Sequence, residues 1–549
     1  MRKNKIAAAV SSFMIAAYMT VPLYAESAVP KTKPESEYVH GDVNLDGMID
    51  VTDITQLGLA LVDKVVLDDI HFAYSDADYD GEVNLVDYAI LRQYVSKKIT
   101  SLPAPKAVSY VSYEERKKSS KQTAEPDYTP DPSAVPSEEP EPEVEETGVV
   151  AKPVPTYLPM VINKTLDADG YLKFAADSAE KVLVDSEDTR GKENPVYSPL
   201  SYYMALSMAA ECANGNTRDE IVDVLGAEDI EDLRYENDLL YRAFRLDGNS
   251  DYCIVSNSAW LNSKWNFKQD AFDTLAKNYY ATSYSRDFRK KEETEAEISE
   301  WISRKTKGKI NPDIYIDDPE SDIVRLISAV AFKEAWEESF DSGVTKKNDF
   351  FKRDGSKISC DFMKEHNTGT EVGTADNFMM YSKKMKNGYT MNFVLPDEGV
   401  DINDILSDEK AVSDIYSGNL DYKENLTVDF IVPKFEVTSE FDLIDASKKL
   451  GIKDAFRGES DFSTIIDYAE NGLGPGDVAI NAIDHQAQVK IDENGGEAEA
   501  YTQIVVGTTS PTAFPGQYLL LKLDRPFFYY ISYKNNVPLF AGIIDNPNE

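Results

Sequence analysis

The sequence predicts a chain of more than one folded unit that mixes helical and strand segments and ends in a large domain with an exposed loop. Three observations predict it. At 549 residues the chain exceeds the ~250–300 residues at which a single hydrophobic core stops growing. Two oxygen-rich loops, each followed by one helical run, lie 34 residues apart near the start. Near the end, a segment with a side-chain period of two runs into a stretch of small, polar and proline residues, which is how a strand leading into an exposed connection reads.

The first element is an export signal. Arg2, Lys3 and Lys5 precede an apolar run from Ile6 to about Leu23, and Leu23-Tyr24-Ala25 before Glu26 suits a signal peptidase. Residues 1–25 are therefore expected to be removed and the chain secreted. No other apolar stretch is long enough to span a bilayer.

The first oxygen-rich loop carries Asp42, Asn44, Asp46, Asp50 and Asp53 at positions one, three, five, nine and twelve, with Gly47 at six. The second repeats this with Asp76, Asp78, Asp80, Asn84 and Asp87 around Gly81. Met48 and Glu82, at position seven, would add backbone carbonyls. Calcium takes about six to eight oxygen ligands, and glycine permits the sharp turn inside such a loop. Two calcium ions are expected; one loop alone would pass for an acidic turn, a matched pair does not. The last ligand is Asp rather than the Glu of regulatory EF-hands, and the helical runs cover Val51 to Leu61 and Leu85 to Val95.

That arrangement resembles the dockerin modules. The resemblance implies a small all-α calcium-binding module over 38–102 that binds a cohesin module of a scaffoldin, placing a secreted protein in a cellulosome, the machinery of polysaccharide catabolism. Val51 with Thr52 and Leu85 with Val86 would face the cohesin, although packing at a helix start explains such apolar pairs equally well. Residues 103–157 follow as a linker. Between Thr123 and Pro155, proline and mutually repelling carboxylates predict an extended, solvated tether that builds no core.

The large domain is expected over 158–549. From Gly496, alternate positions read Gly496, Ala498, Ala500, Thr502, Ile504 and Val506, with Glu497, Glu499, Tyr501 and Gln503 between them. One face is thus small and then apolar, and the other polar, a pattern that fits an ordinary edge strand as well as entry into a crowded sheet with its small side inward. Gly507 to Gly516 then reads as a loop a protease can grip.

Val489 to Thr502 resembles the reactive-loop hinge of the serpins, a family of serine protease inhibitors. Further stretches agree in family order: Asn194-Pro195-Val196-Tyr197-Ser198-Pro199-Leu200-Ser201, Trp301 to Ile310, Phe332 to Phe340, Val432-Pro433-Lys434-Phe435, Asp461-Phe462-Ser463 and Pro538 to Gly542. The resemblance implies an α+β serpin fold, with a central mixed β-sheet, helices and a mobile reactive loop. It also implies a mechanism: a protease cuts the loop, forms an acyl-enzyme, and is trapped covalently as the loop inserts into the sheet. The implied hinge is Glu493, Gly495, Gly496, Glu497, Ala498, Ala500 and Thr502. The family's spacing of sixteen residues past Glu493 places the attacked bond at Thr509–Ser510. Between Thr502 and Leu521 there is no Lys or Arg, so trypsin-like proteases are disfavoured and a subtilisin-like or elastase-like target is expected.

The expected function is a secreted, monomeric suicide inhibitor docked to a cellulosome scaffold, not an enzyme. The alternatives are a non-inhibitory serpin-fold binding module and, disfavoured, a carbohydrate-active enzyme. Among 97 Asp and Glu no pair is singled out, and neither a His-Glu-x-x-His nor a Gly-x-Ser-x-Gly motif occurs. A formal charge of −40 argues against nucleic acid and anionic membranes as partners. Cys212, Cys253 and Cys360 form no disulfide framework and are expected to be buried hydrophobes. His485 and the four tryptophans are expected in the core.

Overall fold

The computed structural model describes residues 146–153, 168–189, 191–244, 246–247, 251–456, 458–496, 517–534 and 536–548, together with residues 41, 43, 49, 53–54, 56–57, 72, 74–77, 83 and 85–95. The chain divides into two compact units, the larger comprising residues 137–154 and 158–549.

In the N-terminal unit, Val43, Ile54, Leu57, Ala77 and Leu91 share a small core, the last on helix α1, Leu85–Val95. Ile49 and Val83, at position eight of the two expected loops, pack against that core. Asp53 Oδ1 accepts the Val43 N–H at 2.7 Å and Asp87 Oδ1 accepts the Ala77 N–H at 2.7 Å. The internal repeat read from the sequence is therefore repeated in its hydrogen bonding.

The larger unit holds helices α2 (Asp169–Glu180), α3 (Pro199–Cys212), α4 (Gly215–Val224), α5 (Ile230–Ala243), α6 (Gln269–Asn278), α7 (Lys291–Lys305), α8 (Ile402–Leu406), α9 (Glu409–Ser417), α10 (Ile444–Leu450) and α11 (Tyr468–Asn471). A six-stranded sheet runs β1 (Val149–Ala151), β5 (Ala281–Arg286), β4 (Tyr252–Asn262), β6 (Val324–Ala335), β14 (Gly495–Gly496), with β3 (Leu246–Asp247) also on β4. A nine-stranded sheet runs β15 (Tyr518–Lys522), β11 (Asp421–Pro433), β8 (Lys357–Thr374), β9 (Phe378–Lys384), β10 (Tyr389–Pro396), β16 (Phe527–Tyr533), β17 (Val537–Ile544), β2 (Val196–Tyr197), with β7 (Lys346–Phe351) on β8. Strands β12 (Phe435–Asp442) and β13 (Asp484–Ile491) pair antiparallel as a ladder of their own.

Local sequence explains these elements. Ser198 accepts the Ser201 N–H at 3.2 Å and Pro199 follows at the first helical position, a strong start for α3. Every residue of α3 except Ala205 is buried, which is why its sequence shows no amphipathic stripe. Strands β16 and β17 are buried at every position and read as unbroken apolar runs. In β13 burial alternates, so one face packs inward and the other looks outward.

Residues 538–546 close over residues 171–198, near the start of the larger unit. Tyr171 Oη donates to the Pro538 carbonyl at 2.5 Å and Ser198 Oγ to the Leu539 carbonyl at 2.8 Å. Asn194 Oδ1 accepts the N–H groups of Asp545 and Asn546 at 2.9 Å, and its Nδ2 donates to the Asn546 carbonyl at 2.8 Å. All three cysteines are free and buried. The last part of the expected tether departs from the sequence reading: Val149–Ala151 is a strand on the edge of the six-stranded sheet, antiparallel to β5.

Candidate functional site

Strand β6 ladders with β4 from Val324 to Lys333. On its other side the described residues pair with it only at its end, where Gly495 and Gly496 face Ala335 and Glu334. Among the described residues, strand β13 ladders with β12 alone. Between β6 and β13 lies a cavity of about 270 Å³, bounded by Leu326 and Ser328 on one side and Ile483 and Gln486 on the other. Leu206 of α3 and Ile302 of α7 also line it. These two belong to different cores, as do neighbouring Ala329 and Val330 of β6, so α3 and α7 cover opposite faces of the sheet. A smaller cavity, lined by Val330, Phe332, Val489, Lys490 and Gly496, continues the seam toward β14. A strand entering such a seam gains main-chain hydrogen bonds on both sides and places alternate side chains on opposite faces.

The hinge sits at the mouth of this seam. Glu493 bridges two elements through its carboxylate, 2.7 Å from Lys434 Nζ and accepting the Thr345 hydroxyl at 2.7 Å. Burial opposes its ionisation, but these hydrogen bonds hold the carboxyl below the ordinary glutamate value. The Glu493 carbonyl accepts the Phe340 N–H at 2.8 Å, and the Asn494 carbonyl accepts the Trp336 N–H at 2.9 Å. Trp336 also donates its indole N–H to the Asp492 carbonyl at 2.9 Å. Trp336 and Phe340 pack edge to face, with Lys383 Nζ 4.4 Å from the Phe340 ring centre.

Gly495 is required where it stands. Its φ is +146°, and a Cβ there would strike the Glu334 carbonyl oxygen and lie 2.6 Å from Ala335 Cα. Gly496 is under no such demand, its nearest neighbours lying at 3.6 Å and 3.7 Å. Beneath the hinge, burial raises the pKa of Glu334, which nevertheless accepts hydrogen bonds from Asn387 Nδ2 at 2.8 Å and the Ala335 N–H at 3.0 Å.

Of the expected hinge, Glu493, Gly495 and Gly496 come together here. Glu497, Ala498, Ala500, Thr502, Thr509 and Ser510 lie outside the described residues. Among the expected calcium ligands, Asp53, Asp76 and Asp87 are described and buried. Asp42, Asn44, Asp46, Met48, Asp50, Asp78, Asp80, Glu82 and Asn84 are outside, as are Val51, Thr52 and the side chains of Leu85 and Val86. His485 is the packed histidine expected of it: its Nε2 accepts the Ser198 N–H at 3.1 Å, and burial lowers its pKa to about 4, so it is neutral at pH 7. Trp260, Trp301 and Trp336 are buried, and Trp265 packs partly buried against the main core. Sequence reading missed Thr345 and Lys434 as the partners of Glu493. Lys434 stands in a quoted motif, but nothing in it announces a partner on another strand.

The six-stranded and nine-stranded sheets, the β12–β13 ladder, their helices and a seam with Gly495 and Gly496 at one end define the serpin fold. The crystal structure of a thermophilic serpin, Tengpin, in the native state shares it at a TM-score of 0.59 and 25% identity, covering 70% of this chain and 96% of that one. The structure of Arabidopsis AtSerpin1 in a native stressed conformation shares it at a TM-score of 0.60 and 24% identity, covering 70% and 100%. Among curated relatives, Serpin-Z1C of Triticum aestivum is 26% identical over 377 residues, 66% of this chain and 92% of its own length. The family model described as Serpin (serine protease inhibitor) matches residues 171–547, and the chain belongs to that family. Residues 40–96 match the Dockerin type I domain.

Proposed function

We propose that this chain is a secreted suicide inhibitor of serine proteases, held on a cellulosome scaffold by its dockerin domain. The observation that carries the inhibitory reading is the seam between β6 and β13, with the hinge at its mouth. A target protease attacks Thr509–Ser510 and becomes joined to the loop as an acyl-enzyme. The freed loop then enters the seam from Gly496 onward, with Ala498 and Ala500 on the inward face, where they have almost no volume to force between neighbouring strands. Insertion drags the attached protease along and distorts its site before water completes hydrolysis. Without Lys or Arg from Thr502 to Leu521, the loop suits a subtilisin-like or elastase-like enzyme rather than a trypsin-like one.

The anchor is the N-terminal unit. Asp53, Asp76 and Asp87, carboxylates at 0% exposure, stand at the first or last ligand position of the two loops, and carboxylate oxygens in that pattern suit calcium. Calcium would be held in one loop by Asp42, Asn44, Asp46, Met48, Asp50 and Asp53 and in the other by Asp76, Asp78, Asp80, Glu82, Asn84 and Asp87. Val51, Thr52, Leu85 and Val86 would then meet the cohesin. Residues 1–25 would direct export, and no helix among the described residues is long and apolar enough to cross a membrane.

Incubation with subtilisin followed by denaturing electrophoresis tests the inhibitory reading. A covalent complex that survives SDS supports it. Cleavage of the loop with no complex would leave a non-inhibitory serpin-fold module as the function.

A further inference from the structure

We infer that residues 146–151 form a clasp that fastens helix α7 to the edge of the six-stranded sheet and so sets how fast the seam opens; this rests on the trapping mechanism proposed above. The segment lies ahead of residues 171–547, the stretch matched by the family model, and comes from the acidic, proline-rich tether.

Its contacts fall mainly on β5 and α7, with one more from Gln269 of α6 to the Val150 carbonyl. The Gly148 carbonyl accepts the Ser285 N–H at 2.9 Å, and Val149 and Ala151 pair with Tyr284 and Ser283 of β5. Glu146 reaches past β5 to the end of α7: it accepts the Tyr284 hydroxyl at 2.9 Å and Arg304 Nη2 at 2.8 Å, with Lys305 Nζ at 3.8 Å. Tyr284 in turn accepts the Trp301 indole N–H at 3.0 Å and stacks on Trp260 at 4.4 Å. Arg286 binds the Thr147 carbonyl at 3.0 Å and forms an ion pair with Glu297 of α7.

The end of α7 that the clasp holds is the part that covers the seam. Ile302, Ile310 and Ile314, in α7 and the chain just after it, line the cavity between β6 and β13. A strand entering the seam must lift that cover, and the clasp resists by tying it to β5. Gly148 makes the return possible: its φ is +63°, and a Cβ would strike Arg286 Nη1 and lie 3.1 Å from the Ser285 carbonyl oxygen.

The test uses the full chain, its Glu146→Ala and Gly148→Ala variants, and Lys173→Ala, which removes an exposed ion pair with Asp177 far from the clasp in sequence. A synthetic peptide copying residues 497–508 is added, and its uptake is followed by the gain in melting temperature. Hydrogen exchange at the Ser285 amide reports in parallel whether the strand is seated. Glu146→Ala and Gly148→Ala are expected to take up peptide about tenfold faster, the scale set by losing one or two hydrogen bonds, with Ser285 exchanging faster and Lys173→Ala matching the parent. If Ser285 becomes exposed in the variants while uptake stays within about twofold of the parent, or if Ser285 is already unprotected in the parent, the clasp is refuted and trapping stands. If no form takes up the peptide or gains heat stability, trapping itself fails, and regulation of it fails too.

Discussion

Replacing Gly495 by alanine puts the hinge geometry to a quantitative test. At φ +146° a side chain is strained, and its Cβ would press on three backbone atoms, the Glu334 oxygen, Ala335 Cα and Trp336 N, which no rotamer change can move. If the pairing is kept, the residue holds a disfavoured conformation at a cost of ~1–3 kcal/mol, with the overlap in addition. If instead the hinge backs away from β6, it loses the hydrogen bonds from Trp336 N–H to Asn494 and from Phe340 N–H to Glu493, at ~1 kcal/mol each. Either route costs about 2–4 kcal/mol, which for a domain of this size lowers the melting temperature by about 2–5 °C. Thermal melts at a single scan rate read this directly. Titration against subtilisin reads the functional consequence, more cleaved inhibitor for each complex formed. Gly496→Ala is the matched control: its nearest contacts are ordinary van der Waals distances, so its cost is within ~0.5 kcal/mol. Two variants that melt alike, and like the parent, would show that the hinge does not rest on β6 at Gly495.

Glu493 contributes hinge stability that is complete above the ordinary glutamate pKa and is lost as pH falls through its lowered folded value; hydrogen exchange around Trp336 should rise at acid pH in the parent and lose that dependence in Glu493→Gln. Burial raises the Cys253 thiol to about 12 and the Cys360 thiol to about 11, so the native domain should react with a thiol reagent at pH 8 more than a hundredfold more slowly than the unfolded chain. Ala498→Arg should turn the inhibitor into a substrate, because the inserted strand would bury a charge; an undiminished yield of SDS-stable complex would overturn the proposed inward face. Chelation of calcium should abolish cohesin binding in a pull-down and leave the rate of subtilisin inhibition unchanged.

Motifs with local causes were legible in the sequence. Ser198-Pro199 starts α3, Gly495 stands where the backbone needs it, and the twin loops reappear as twin hydrogen bonds to Asp53 and Asp87. The seam was not legible from patterning alone, because it is a missing ladder between strands far apart in sequence, and the alternation in β13 is the same whether or not β6 lies beside it. The Glu493–Lys434–Thr345 contact was hidden for a similar reason, since three separate elements supply it. Strand β1 was concealed by composition: Val149-Val150-Ala151 is too short to outweigh the surrounding glutamates and prolines, and only the edge of β5 gives it a partner.

The bonds from Tyr171, Asn194 and Ser198 to residues 538–546 also impose an order of events on synthesis. Tyr171, Asn194 and Ser198, near the start of the domain, find these partners only in residues 538–546, so the domain must wait, unfinished, while hundreds of residues are translated behind it. A ribosome that stops before Pro538 would leave Asn194 without Asp545 and Asn546 to hold and the nine-stranded sheet without nearly all of β17, whereas the N-terminal unit would already have been translated.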